Sequence, residues 1–193
     1  MSSIDPPPLT TEERRGLLRV ARESIAHGVE YGYPLTVDPF QFSSPLQAPR
    51  ATFVTLKRNG NLRGCIGALQ ASRPLVQDVA HNAYAAAFQD PRFPRLAAEE
   101  YPELDIHIAV LGAPEPLAAH DERELAQRLR PGRDGVILEE GQRRATFLPA
   151  VWKQIADPIA FLRELKQKAG LAPDYWSDTL KAYRYTAESF PEE

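Results

Sequence analysis

The chain has 193 residues, of which 43% are hydrophobic and 25% charged, with a formal net charge of −3. That is ordinary globular composition, with length enough for a sizeable core in one domain or two small lobes. The slight acidic excess argues against a general nucleic-acid binder, which would carry a basic surface, and a single cysteine excludes an intrachain disulfide framework.

That lone cysteine fits a reducing compartment, so a cytoplasmic location is expected. The opening M-S-S-I-D-P-P-P-L has neither the basic nor the apolar region of a signal peptide. No apolar run approaches the ~18 residues of a membrane span. Residues 1–9 read as a loose arm. Thr10 to Glu13 form a capping box, and the helix beyond carries Leu17, Leu18, Ala21, Ile25 and Val29 as one apolar stripe. Gly32 and Pro34 end it, and His27 near its end is read as a favourable charge at the helix C-terminus. A Pro/Ser/Gln-rich connector follows, up to Pro49.

Ala51–Leu56 has strand composition, and Asn59-Gly60 supplies the two positive-φ residues of a type I′ hairpin turn. Counting from that turn sets Leu56 against Arg63, Val54 against Cys65 and Thr52 against Gly67. Arg63, Cys65 and Gly67 then share one face. A guanidinium on the same face would favour the thiolate. Gly64 and Gly67 cost the strand packing and ask for close backbone approach by a ligand or another segment. Two readings stand for Cys65: a small buried hydrophobe, or a nucleophile or ligand-contacting thiol beside an anion-binding Arg63.

Ser72-Arg73-Pro74 opens a second helix running to about Gln89, with a flat face of alanines and valines. Asp78, His81 and Asn82 lie near one side of it and are read as a solvated face, with a polar site cluster as the alternative. In Asp90–Pro94 two prolines fix where Arg92 and Phe93 point. That loop reads as a binding edge, or as a helix terminator with Phe93 in the core. Glu99–Glu103 is acidic and expected to be exposed. Leu104–Leu111 alternates, with His107 on the more polar face, where it can act as a base if that face meets Cys65.

A third helix begins at Asp121 and stops at Pro131-Gly132. A second hairpin is predicted around Glu140-Gly141, and its Arg144-Ala145-Thr146-Phe147 repeats Arg50-Ala51-Thr52-Phe53, a hint of internal duplication. Asp157-Pro158 is an N-cap with proline at N1, and Gly170 closes that helix as C′. Tyr175-Trp176 reads as a packing anchor, Leu180–Ala187 as a last strand and Glu188–Glu193 as a tail. The order predicts an α+β fold, a largely antiparallel sheet packed with helices.

Leu62-Arg63-Gly64-Cys65-Ile66-Gly67 resembles the LRGCIG hexapeptide of the AMMECR domain family. Asn82–Phe88, the Asp90–Pro94 clamp, Thr146–Pro149 and Lys168–Leu171 resemble the family in the same order, so the likeness spans about residues 12–190. It implies two lobes with the hexapeptide near a cleft between them. Prokaryotic members accompany a Memo-type protein and a radical S-adenosylmethionine enzyme, which are the partners the resemblance implies. It assigns no cofactor and no settled reaction.

Two functions remain open. In one, an enzyme of a radical-linked modification pathway uses Cys65, while Arg63 and Arg92 grip a small anionic ligand. In the other, a binding or scaffold module holds a ligand or protein without chemistry. The four histidines lie far apart, with no compact metal motif. One cysteine cannot supply the C-x-x-x-C-x-x-C motif of a radical enzyme, so that chemistry would belong to a partner.

Overall fold

The structure is a computed structural model that describes residues 7–192. Two compact units divide it, one formed by residues 7–111 and 188–192, the other by residues 112–187.

In the first unit, Thr10 caps α1 (Thr11–Tyr31): its hydroxyl accepts from the Glu13 N–H, and the Glu13 carboxylate accepts from the Thr10 N–H. Gly32 ends the helix at φ 83°, where a side chain would be strained. Leu17, Leu18, Ala21 and Ile25 are buried as the stripe predicts, whereas Val29 is exposed in the last turn. A single turn, α2 (Ser44–Gln47), precedes β1 (Thr52–Arg58) and β2 (Asn61–Gly67). Helix α3 (Leu75–Phe88) then packs on α1 and on β1. It is apolar nearly all round because both sides are covered. The Ser24 hydroxyl bonds the Ala80 carbonyl at 2.7 Å across the α1–α3 contact.

Strand β3 (Leu104–Leu111) buries Leu104, Ile106, Ile108 and Val110, the alternate set read from its pattern. The sheet runs β2-β1-β3-β8, where β8 is Ala187–Pro191, so most of the expected tail is an edge strand. Of the expected N-terminal arm, residues 1–6 lie outside the described residues. Leu9 is buried, and its N–H donates to the Glu188 carboxylate at 3.1 Å.

Asp78 and Asn82 depart from the solvated-face reading. Both are buried, with Thr52 beneath them. The Thr52 hydroxyl donates to Asp78 Oδ2 at 2.7 Å, and Asn82 Nδ2 donates to Thr52 Oγ1 at 2.9 Å and to Asp78 Oδ2 at 3.0 Å. Burial pushes the Asp78 carboxyl above its ordinary value, opposed by the Thr52 hydrogen bond and the Arg73 charge. The trio ties α3 to the start of β1. His81 stays half-buried beside it, its imidazole pushed down mainly by burial.

The second unit orders its strands β4-β7-β5-β6, namely Glu115–Leu117, Lys181–Tyr185, Gly135–Glu140 and Arg143–Phe147. Helices α4 (Glu122–Arg128) and α5 (Pro158–Lys168) pack on each other, and α5 on β6. Asp121 and Asp157 cap them as expected. Gly170 closes α5 through paired bonds, Gly170 N–H to the Gln167 carbonyl and Leu171 N–H to that of Lys166, both 2.9 Å. The hairpin loop is Gly141-Gln142, one residue later than predicted, because Glu140 pairs with Arg143. The repeated Arg-Ala-Thr-Phe falls on the first strand of one hairpin and the second of the other. It therefore marks no structural duplication.

Thr52→Val keeps the shape at the α3–β1 contact but removes the hydroxyl that both Asp78 and Asn82 use. It should destabilise the protein by about 1–3 kcal/mol, read as a lower urea midpoint. A shift under about 0.5 kcal/mol, the usual size for uninvolved sites, would show that the trio contributes nothing to stability.

Candidate functional site

Asn59 and Gly60 sit at φ 51° and 78°, the two positive values a type I′ turn needs. From there Arg58 pairs with Asn61 and Lys57 with Leu62, as counting predicts. The register then slips: Leu56 faces Gly64, and Thr55 faces Cys65. Arg63 is the extra residue of a β-bulge. The slip turns Gly64 toward α3, where a Cβ would overlap the carbonyl oxygen of Ala86. Gly67 is equally constrained, by the Thr52 carbonyl and the Phe53 ring. Both glycines answer to other segments of this chain.

The bulge corrects the expectation that Arg63 and Cys65 share a face. Arg63 is buried and held by Glu100, Nε to Oε1 at 2.8 Å and Nη2 to Oε2 at 2.9 Å, with Nη2 also on the Pro94 carbonyl at 3.0 Å. This bidentate pair brings the Glu100 carboxyl down to about 2, the Arg63 hydrogen bonds being the largest cause. Glu100 is thus half-buried within a stretch expected to be exposed, and it, rather than Glu99, reaches the hexapeptide. Arg63 Nη1 is buried with no partner among the described residues.

Cys65 is half-buried. Its Sγ lies 3.1 Å from the Thr55 hydroxyl. Thr55 pairs with Cys65 on one side and with His107 on the other, so the three side chains form one row across β2, β1 and β3. Two strand spacings separate the ends of that row, about 10 Å. Burial, then the Lys57 charge, pushes the His107 imidazole down, which disfavours its charged form.

The backbone of Cys65 is held as well. Its N–H donates to Asp90 Oδ2 at 2.9 Å, and Arg92 Nη2 donates to its carbonyl at 3.3 Å. Asp90 and Arg92 are themselves paired, Nη2 to Oδ2 at 2.7 Å and Nε to Oδ1 at 3.0 Å. Arg92, then the Cys65 and Arg92 N–H groups, hold the buried Asp90 carboxyl well below the usual carboxylate range. Two guanidinium groups lie near the Phe93 ring, Arg92 at 5.5 Å and Arg63 at 5.9 Å from its centroid.

The structure thus brings Arg63, Arg92 and Phe93 together beside β2 and holds Cys65 through its backbone, but leaves His107 two strands away on β3; Gly64 and Gly67 are points of close packing. Sequence reasoning missed Thr55, Asp90 and Glu100. The acids flank the Arg92–Phe93 segment, and Thr55 was hidden by the register. Among the described residues no group of three or more His, Cys, Asp or Glu is placed to hold a metal. Among the described residues, no helix is long and apolar enough to cross a membrane.

The AMMECR1 family model matches residues 18–190, nearly the whole chain. The chain belongs to the AMMECR1 family. A protein from Methanothermobacter thermautotrophicus is 36% identical over 188 residues, covering 96% of this chain and 97% of that one. One from Thermococcus gammatolerans is 40% identical over 185 residues, covering 92% and 89%. The crystal structure of the uncharacterized protein PH0010 from Pyrococcus horikoshii superposes with a TM-score of 0.88 at 35% identity, covering 96% of this chain and 94% of that one.

Two of the motifs that carried the likeness, Thr146–Pro149 and Lys168–Leu171, are packing devices of the second unit. Lys168 Nζ donates to the Thr146 carbonyl at 2.9 Å and sits 5.1 Å from the Phe147 centroid.

Gly64→Ala should destabilise the protein by roughly 1–3 kcal/mol through overpacking against the Ala86 backbone, seen in the denaturant midpoint. Glu100 has its folded pKa lowered from 4.5 to about 2, so its stabilisation is full above the unfolded value and disappears as pH falls through the folded one. Glu100→Gln should therefore flatten the acid limb of a stability–pH curve in that window. An unchanged limb would mean that Arg63 gains nothing from the ionised acid.

Proposed function

We propose that this protein is the thiol-bearing component of a modification pathway, with Cys65 as the reacting group. The observation that carries this is the Thr55 hydroxyl on the Cys65 sulfur at 3.1 Å, in a row that ends at His107. Thr55 orients the thiol. The sulfur electron pair adds to a polarised double bond of the substrate, whose π electrons move to its far atom and take up the thiol proton, with His107 as the carrier of that proton. Arg92 holds the Cys65 backbone through its carbonyl. The resemblance of the hexapeptide and the later motifs to the family supports a Memo-type protein and a radical S-adenosylmethionine enzyme as partners in the cytoplasm. With one cysteine here, the iron–sulfur cluster of the radical step belongs to that enzyme.

A second reading is a non-catalytic binding module. It draws on the internal pairing of Arg63 with Glu100 and of Arg92 with Asp90, which leaves Arg63 Nη1 as the unmet donor for a small anionic ligand.

The pH dependence of iodoacetamide alkylation, followed by intact mass, separates the two. The thiol reading expects reaction of the folded protein with a midpoint below the ordinary thiol value of about 8.5. The midpoint should rise in Thr55→Val and in His107→Ala. Labelling only after unfolding makes Cys65 a packing residue and leaves the binding module. Cys65→Ser should then retain whatever partner the wild-type chain captures.

A further inference from the structure

Four of the five large hydrophobic side chains that are exposed among the described residues fall in one short stretch, Val29, Tyr31, Tyr33 and Phe40. The stop of α1 sets two of them side by side. Gly32 at φ 83° turns the chain back, and the Tyr84 hydroxyl of α3 holds its carbonyl at 2.6 Å. Tyr33 is thereby carried beside His27, and its carbonyl lies 2.9 Å from His27 Nδ1. A carbonyl only accepts, so Nδ1 carries the proton of that bond. Three rings meet here: the His27 centroid is 4.7 Å from those of Tyr31 and Tyr33, which are 6.2 Å apart. Tyr31 and Tyr33 are nevertheless 55% and 56% exposed, so more than half of each is uncovered.

The charge of this stretch has one sign. From Glu23 to Pro49 the sequence holds no lysine or arginine and three acids, Glu23, Glu30 and Asp38. No basic residue in the last turn of α1 offsets the negative end of the helix dipole. Glu30 is exposed there, its carboxylate beside the Tyr31 hydroxyl. Ring faces, a carboxylate and a helix C-terminus all attract a cation. A guanidinium suits them better than an ammonium, because its plane stacks on a ring while its edge bonds a carboxylate.

We propose that the end of α1 docks a basic segment of a partner protein, an arginine of which lays its guanidinium on Tyr31 and Tyr33 and bonds Glu30. Exposed apolar residues run on from Val29 to Phe40, more surface than one small cation covers, so a chain with apolar residues beside its arginine fits the stretch. Aromatic residues and arginine are the types that dominate such contacts. The Gly32 turn and the Tyr84 bond place the rings before the partner arrives, which lowers the ordering cost of binding. Nothing in the proposal draws on Cys65.

The test is a fluorescence-anisotropy titration of the whole protein with a labelled peptide Gly-Leu-Arg-Ser-Arg-Leu-Gly. One control peptide carries lysine for both arginines, and another carries citrulline, which keeps the shape without the charge. Expected are saturable binding tighter than about 1 mM, binding of the lysine peptide weaker by about threefold or more, and no saturation with citrulline. Tyr31→Ala combined with Tyr33→Ala should lose about fivefold or more, whereas Tyr33→Phe, which keeps the ring, should stay within about twofold. Glu30→Lys, at an exposed position, should also lose about fivefold or more, since it sets a like charge against the guanidinium. Both tyrosines are exposed, so these variants should fold, and circular dichroism verifies it. No saturation with the arginine peptide, equal affinity for either control, or unchanged affinity in the double alanine variant or in Glu30→Lys would overturn the proposal. So would self-association through these tyrosines without binding to the peptide.

Discussion

The approach of Gly64 to the carbonyl of Ala86 governs the region around the cysteine. Only a residue without Cβ lets β2 lie this close to the last turn of α3. Gly64 can face the helix because the bulge shifts β2 by one residue at Arg63. Once β2 is there, the chain leaving α3 emerges beside it. Asp90 then meets the backbone of Cys65, and Glu100 meets Arg63.

The charges near Cys65 are consequently arranged as closed pairs. Arg63 with Glu100 and Arg92 with Asp90 are bidentate, and both guanidinium groups lie near the Phe93 ring. Pairing of this kind restrains side chains that would otherwise be mobile, and it suits the planar fork of arginine rather than lysine. The opposite face of the strand carries no such pair at the thiol. Its groups are a thiol, a hydroxyl bonded to it and an imidazole, set in one row by strand pairing.

Local chemistry was legible in the sequence where one residue type has one physical use. The Thr10–Glu13 box, the Asp157-Pro158 start and the Gly170 stop are written in the residues that satisfy helix ends. The Asn59-Gly60 turn and the alternation of Leu104–Leu111 were equally readable. The register beyond the turn was not, because counting assumes one residue against one, and an inserted residue reverses every face after it. Gly64 was the available signal, a glycine where a regular strand gains nothing from one. Asp78 and Asn82 were misread because their types favour solvent, while the partner that allows their burial, Thr52, lies 26 residues away from Asp78. The alanine-rich surface of α3 was read as one packing face, and its cover on both sides by α1 and β1 was not. The Glu188–Glu192 segment lacks a strand pattern of its own and is held by arginines of α1, a long-range cause invisible to any window.

β2 is the outermost strand of its sheet, and such a strand ordinarily offers its free amides and carbonyls to any passing chain. At Cys65 that offer is withdrawn. A carboxylate and a guanidinium, joined to each other, occupy the N–H and C=O that a neighbouring strand would use. No peptide can therefore zip onto the sheet at the cysteine without first prising apart Asp90 and Arg92. Whatever meets the thiol must come down onto the sheet from above, across Thr55, and not sideways along its rim.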